Sequence, residues 1–293
     1  MIELHERLSE FSYGYGVTRE IEGLLESVGL KTAPFLPSLL QEAQLGFDVG
    51  FDKPGAVLLV QFKLGQSLQR FVRTKGTAQV PLLSRPFWRF NINTAEPEGQ
   101  YETLLKAEGD GAEVYYAAPR FVDWSDYLAI FEAKDVLNRS LLFRPTEVRD
   151  ALVRQRAPDG AHKVAYDEKR VHVCSEPAEI QETAAAQLAS TVRSKMSVNR
   201  PLRTIVKNIF IGFDHRYLVR RPQLSEGILK SADDKTLEHA REFDLPRSEA
   251  GETRVTRLEK LRNQTKSEDD AVSAAVGLEV WSLGIQMILA TEQ

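Results

Sequence analysis

Three residues in the first quarter of the chain have types and spacing suited to phosphodiester hydrolysis. Asp48 is followed by twelve other residues and then by the tripeptide Gln61-Phe62-Lys63. Carboxylate and amide groups offer the hard oxygen ligands that Mg²⁺ prefers, with water in its other positions. A bound metal ion acidifies water and supports the charge that develops on a phosphodiester, and a nearby lysine can stabilise that charge. These residues predict metal-assisted hydrolysis without a nucleophilic side chain.

Two predicted strands would bring these side chains together. Residues 45–51 (LGFDVGF) and 56–64 (AVLLVQFKL) are rich in the β-branched and aromatic residues that favour strands. The turn formers at 52–55 (DKPG) predict that the two strands pair as a hairpin. Side chains alternate between the faces of a strand, so Gln61 and Lys63 share a face. The hairpin would place Asp48 beside them.

A predicted helix could add a second acid to this group. Residues 17–28 (VTREIEGLLESV) have apolar residues at helical spacing, with Thr18 as the expected N-cap and Gly29 just past the end. Glu20 and Glu22 flank the apolar stripe on opposite sides. Either carboxylate could therefore approach the end of the hairpin.

The pattern over residues 1–142 predicts a mixed α/β domain with helices covering a central sheet. The predicted order is a helix, three strands, a helix, a strand, a helix and a strand. After the helix just described come strands at 31–36, 45–51 and 56–64, a helix at 65–73, a strand at 85–93, a helix at 101–108 and a strand at 113–118.

Residues 143–293 differ from the preceding residues in composition and hydrophobic pattern. They predict a mostly helical accessory region for substrate recognition or partner binding. Helices are expected at 176–193, where Pro177 would begin the helix, and at 271–290, which is the most apolar segment. A small hairpin is expected at 163–174. Residues 225–270 are dense in charge and predict exposed helices or a mobile segment.

The arrangement of a helix acid, Asp48 and an x-Gln-x-Lys strand resembles the PD-(D/E)xK nuclease superfamily. The glutamine at position 61 is most similar to the Mrr-type restriction branch. The resemblance covers roughly residues 15–120, and Phe47 stands where the family name has proline. It implies a restriction-endonuclease-like core with a site for Mg²⁺ or Mn²⁺.

The resemblance also implies individual roles. Asp48, Gln61 and Glu20 would hold the metal, with Glu22 as the second choice for the helix acid, and Lys63 would be the catalytic lysine. The implied activity is an endonuclease that hydrolyses phosphodiester bonds, with DNA favoured over RNA, in restriction or anti-phage defence. A homodimer or a protein partner in a defence complex is compatible with that role.

Four residues after the motif are candidates for contact with nucleic acid. Gln66 and Gln69 follow Lys63 at helical spacing, and Arg70 and Arg73 lie where a phosphate-binding groove could run. Solvated surface charge is the alternative interpretation of the same residues.

The composition of the chain argues against several other classes of protein. The formal net charge is −4, which argues against a protein that coats nucleic acid. The single cysteine excludes an internal disulfide framework and a multi-cysteine zinc site. The N-terminus has no apolar signal core, and no run approaches the ~18 apolar residues of a membrane span. We expect a cytoplasmic protein without a membrane partner.

Two alternatives to a DNA endonuclease follow from the same residues. Gln61 replaces a carboxylate, so the chain could be a non-catalytic nucleic-acid-binding or assembly subunit on a degenerate nuclease fold. An RNase with the same site is also compatible, because hydrolysis need not involve the 2′-hydroxyl group.

Overall fold

A computed structural model describes residues 8–36, 47, 49–71, 80–96, 99–174, 177–213 and 256–293. The helices in these segments are α1 (Glu10–Ser27), α2 (Gln100–Gly109), α3 (Trp124–Glu132), α4 (Pro145–Gln155), α5 (Ala185–Met196), α6 (202–213), α7 (256–262) and α8 (Glu268–Ser282). The strands are β1 (Leu30–Pro34), β2 (Gly55–Phe62), β3 (Gln66–Leu68), β4 (Phe87–Asn93), β5 (Glu113–Pro119), β6 (Ser140–Phe143), β7 (Ala161–Tyr166), β8 (Val171–Cys174), β9 (Pro177–Ile180) and β10 (Ile285–Glu292).

The central sheet is mixed and has the strand order β1-β10-β2-β5-β6. β2 and β5 run parallel, whereas the other neighbours are antiparallel. Every residue of β2 is buried, as expected for an apolar strand covered on both faces. A mixed α/β fold with helices around a central sheet is therefore confirmed.

The second sheet is antiparallel throughout and has the strand order β3-β4-β7-β8-β9. The inward side chains of β4, β7 and β8 join one large core cluster with the central sheet and with α2, α4, α6 and α8. The other face of the central sheet packs against α1, α3 and α5 in a separate cluster. Each side chain of the central sheet therefore belongs to one of two distinct faces.

The close packing of α1 explains why this helix is longer than its sequence suggests. It begins at Glu10, and the Ser9 hydroxyl caps it by accepting the Ser12 amide at 3.0 Å. Gly14 lies so close to the Phe62 ring that an added Cβ would be 2.7 Å from it. The glycine-rich start, expected as a loop with Thr18 as the cap, is helical because close tertiary contact outweighs its low helix propensity.

The predicted hairpin of 45–51 with 56–64 is wrong. β2 pairs with β10 along 55–61 and with β5 along 58–62, so both of its edges are taken. Of the residues in the 45–51 run, the structure describes 47 and 49–51, and these are not in a strand. The place expected for that run is filled by the last strand of the chain.

Two predicted helices are also corrected. Residues 66–68 form β3, which pairs with β4, so the described part of 65–73 is not helical. Pro177 begins the edge strand β9 rather than a helix, as proline can where it need not donate to a ladder. The helix of that region starts later, at Ala185.

In the described part of residues 143–293, strands accompany the helices, and elements from both sides of the predicted boundary at residue 142 share the central sheet and the large core cluster. Strands β7, β8, β9 and β10 all follow that boundary, and β10 lies between β1 and β2. The expected helix at 271–290 ends at Ser282. Gly284, with φ of 73°, then turns the chain into β10.

Other elements agree with the sequence-based predictions. Gly29 follows α1 with φ of 80°, the left-handed conformation that ends many helices. The helix at 101–108 and the strand at 113–118 are present as α2 and β5, and 163–174 forms the β7–β8 hairpin. None of the described helices is both long and apolar enough to cross a membrane.

We predict that truncating Met287 destabilises the whole fold. This β10 side chain is fully buried in the large core cluster, and removal of a buried side chain of this size costs about 2–5 kcal/mol. In urea titrations followed by far-UV circular dichroism, Met287→Ala should lower the free energy of unfolding by that amount. Exposed Glu292, in the same strand, provides the control variant Glu292→Ala, which should unfold like wild type. Equal stability of the two variants would contradict the integral role of β10.

Candidate active site

Gln61 and Lys63 lie together on the face of the central sheet that packs against α2 and the second sheet. Along β2, Val57 and Leu59 belong to the large core cluster, and the alternation continues to Gln61 and Lys63. Lys63 lies just beyond β2, and its amide donates to the Ala117 carbonyl at 2.9 Å. The ladder with β5 thus fixes the lysine backbone.

Gln61 is a buried polar residue with one free oxygen. Its side chain is 1% exposed, and its Nε2 donates to the Phe62 carbonyl at 3.0 Å. Its Oε1 has no hydrogen-bond partner within the part of the chain that the structure describes. A buried acceptor without a partner costs free energy, so this oxygen is suited to an external ligand such as a cation or a water molecule.

Lys63 is held by a glutamine that the sequence analysis did not single out. Lys63 Nζ donates to Gln100 Oε1 at 2.7 Å, and Gln100 Nε2 donates to the Leu283 carbonyl at 2.6 Å. Burial lowers the pKa of the Lys63 ammonium, and the charges of Glu10 and Glu96 oppose this shift. Gln100 therefore connects the lysine to the turn that precedes β10.

A cleft of about 440 Å³ opens beside Lys63. Residues of both sheets and of α2 line it, namely Lys63, Asn91, Ile92, Asn93, Glu96, Gln100, Tyr101, Tyr116, Ala161 and Lys163. Such a volume is within the range of about 300–1,000 Å³ for small-molecule sites. The lysine that was expected to act on a phosphate is thus accessible to a ligand.

Asp48 lies outside the described residues, but its two chain neighbours do not. Phe47 and Val49 are partly buried and pack against the large core cluster, on the side of the central sheet where Gln61 lies. Phe47 also stacks on Phe35 with ring centroids 6.3 Å apart. The residue directly opposite Gln61 on β10 is the apolar Ile285, so that strand adds no acid there.

Glu20 does not join Gln61 and Lys63. α1 packs on the opposite face of the central sheet, and the Glu20 carboxylate accepts the Val136 and Leu137 amides at 2.9 and 2.8 Å. The expected metal ligand therefore holds the turn before β6. Glu22, the second choice, lies on the same helix and accepts a hydrogen bond from the Thr32 hydroxyl at 3.5 Å.

The residues expected to contact nucleic acid are surface residues where they are described. Gln66 is exposed in β3, and Gln69 and Arg70 are exposed just after it. Arg73 lies outside the described residues. Gln66 pairs with Arg89 of β4, so its position is set by the second sheet and not by a helix.

The donor set for a metal ion is incomplete in the described part of the chain. Among these residues, no three histidine, cysteine, aspartate or glutamate side chains converge on one point. The free amide oxygen of Gln61 is a hard donor of the kind Mg²⁺ accepts. A site on this face would need a carboxylate from another residue, and Asp48 is the acid that the sequence pattern predicts for this role.

Comparison of the chain with protein-family models, curated proteins and solved structures gave no match.

Gln100 could not be identified from the sequence pattern, because its role depends on tertiary packing. Gln100 is the first residue of α2, after Gly99, and its position relative to Lys63 is set by the two sheets. One feature of the sequence could have drawn attention to it: a charged lysine at the end of an apolar strand requires a polar partner.

We predict that Glu20 is structural. In Glu20→Ala the Val136 and Leu137 amides lose their acceptor, and loss of hydrogen bonds to a charged group costs about 1.5–3 kcal/mol each. Thermal unfolding should show a clear decrease in stability. Binding of Mn²⁺ by the folded fraction, followed by its paramagnetic effect on water relaxation, should be unchanged. A selective loss of Mn²⁺ binding with wild-type stability would restore the metal-ligand role.

We predict that Gln100 controls the ionisation of Lys63. In Gln100→Ala the ammonium loses an acceptor at 2.7 Å, so the already lowered pKa of Lys63 should decrease further. In Gln100→Glu a negative charge replaces the amide and should raise this pKa. NMR titration of ¹³Cε-labelled lysine, with Lys63→Arg for assignment, measures both shifts. Identical titration in the two variants would contradict the role.

Proposed function

We propose that this chain is a Mg²⁺- or Mn²⁺-dependent nuclease that hydrolyses phosphodiester bonds, with DNA as the favoured substrate. The observation that carries the proposal is that two polar side chains, Gln61 and Lys63, lie together on one face of the central sheet. Gln61 is buried with a free oxygen, and Lys63 on the same face is accessible in a cleft. Both arrangements suit a site that receives a cation and a phosphate.

The proposed roles follow from the chemistry of each group. A metal ion held by Asp48 and the Gln61 oxygen would supply an acidified water molecule and support phosphate charge. Lys63 would place its ammonium beside a non-bridging phosphate oxygen, where a positive charge is effective because the site is partly desolvated. Gln100 would orient that ammonium through its hydrogen bond.

The topology supports a restriction-endonuclease-like core. α1, β1, β2, β4, α2 and β5 occur in the order expected from the sequence, with β3 between β2 and β4, and β2 and β5 are parallel neighbours. β10 supplies the antiparallel partner of β2 that was expected from residues 45–51. We further propose that the enzyme acts in the cytoplasm in restriction or anti-phage defence, as a homodimer or with a protein partner.

One observation favours a second candidate, a non-catalytic nucleic-acid-binding or assembly subunit. The Glu20 carboxylate accepts hydrogen bonds from backbone amides on the opposite face of the central sheet, and position 61 has an amide in place of an acid. With those two carboxylates absent from the site, Asp48 would have to bind the metal with Gln61 and water alone.

We predict metal-dependent cutting that requires Asp48 and Lys63. Purified protein is incubated with plasmid DNA, with single-stranded DNA and with RNA, in Mg²⁺, Mn²⁺ or EDTA, and the products are separated on gels. Asp48→Ala and Lys63→Ala should each reduce the cutting rate by about 100-fold or more. Asp126→Ala and Lys260→Ala, at exposed positions, are the matched controls and should cut like wild type.

The substrate that is cut distinguishes a DNase from an RNase with the same site. No cutting by wild type, together with Mn²⁺ binding that Asp48→Ala leaves unchanged, would reject the nuclease and favour the non-catalytic subunit.

A further inference from the structure

A strip of polar residues continues from the cleft across the second sheet. Trp88, Phe90 and Ile92 of β4 face the core, so the alternating residues Arg89, Asn91 and Asn93 lie on the opposite face. Directly paired residues of neighbouring strands share a face. Gln66 pairs with Arg89, and Lys163 pairs with Asn91. We call these five residues, Gln66, Arg89, Asn91, Asn93 and Lys163, the outer strip.

The five residues of the outer strip include two cations and no acid, and Glu96 lines the adjoining cleft. Arg89 and Lys163 are diagonal neighbours on adjacent strands, and neither forms a salt bridge within the described residues. Burial raises the pKa of the Cys174 thiol to about 11, and the charges of both cations oppose that shift. Neighbouring like charges repel each other, so this arrangement favours a bound anion, although the net charge of the chain is −4.

The strip is continuous with the candidate active site. Asn91, Asn93 and Lys163 line the same cleft as Lys63. An anion on the strip would thus lie along a path that reaches the proposed catalytic lysine. Amide side chains between the cations can both donate and accept hydrogen bonds, which suits the polar edges of nucleobases.

The size of the cleft selects between a single strand and a duplex. A volume of about 440 Å³ lies near the lower end of small-molecule sites and suits one nucleotide unit. A nucleotide within a duplex is stacked and paired, and its extrusion into such a site costs free energy that an unpaired strand does not incur.

We propose that the cleft and the outer strip bind a single-stranded segment of nucleic acid, with Arg89 and Lys163 on its phosphates. This inference rests on the proposed function and adds the strandedness of the substrate and the residues that position it. One nucleotide enters the cleft beside Lys63, and the neighbouring phosphates lie along the strip.

Binding is tested in EDTA, so that affinity is measured without cutting. Fluorescence anisotropy compares a labelled single-stranded DNA of roughly twelve nucleotides, an RNA of the same sequence and the corresponding duplex DNA. Wild type should bind at least one of the single strands about tenfold or more tightly than the duplex. The preferred single strand then identifies the sugar that the site accepts.

Substitutions of Arg89 and Lys163 test whether these two residues contact the phosphates. Arg89→Ala and Lys163→Ala should each weaken single-strand binding several-fold, and each should reduce the slope of log affinity against log salt by about 0.7. Lys163→Arg keeps the charge and should bind like wild type. Lys260→Ala, at an exposed position outside the strip, is the matched control and should leave both affinity and slope unchanged.

Duplex binding as tight as single-strand binding, no measurable binding of any oligonucleotide, or loss of affinity no greater than in Lys260→Ala would overturn the proposal. The nuclease assay remains a separate readout. Cutting of plasmid DNA together with any of these results rejects the single-strand inference alone. Selective, Lys163-dependent binding in a protein that never cuts rejects the nuclease while retaining the binding surface.

Discussion

The insertion of β10 between β1 and β2 is the constraint on which the rest of the structure depends. Backbone hydrogen bonds from β10 and β5 occupy both edges of β2, so no further strand can pair there. The ladder with β5 continues to the amide of Lys63, and the turn before β10 accepts a hydrogen bond from Gln100. Lys63 is therefore positioned by Gln100 and, through it, by Leu283, which is 183 residues further along the chain. The site forms only when β10 is in place.

The helix acid Glu20 and the amide of Gln61 lie on opposite faces of the central sheet. Side chains of one strand alternate between faces, so Phe62 packs on Tyr13 of α1 with ring centroids 5.8 Å apart, while Gln61 faces the second sheet. Glu20 shares the face of α1 and satisfies backbone amides there. Spacing along a helix cannot reveal this division, because it depends on which side of the sheet the helix crosses.

The sequence predicted local elements well where periodicity and turn formers act alone. α2, β5 and the β7–β8 hairpin have strong local patterns and form where expected. The hairpin partner of β2 could not be predicted, because an apolar run with turn formers beside it is compatible with pairing to any strand, local or distant. The start of α1 was missed for a related reason, since Gly14 is favoured there only through its contact with Phe62. Of the site, the shared face of Gln61 and Lys63 follows from strand alternation, whereas Gln100 and the cleft depend on tertiary packing.

The amide at position 61 and the shifted ionisation of Lys63 have a common physical origin. A carboxylate at a position that is 1% exposed would require a neighbouring cation to offset its desolvation. It would also stabilise the ammonium of Lys63 and raise its pKa. A neutral amide avoids the buried charge. Among the described residues Glu10 and Glu96 support the ammonium of Lys63, but burial dominates and lowers its pKa. In this site the lysine holds its proton less firmly than a surface lysine does, and an approaching phosphate would add negative charge that stabilises the ammonium.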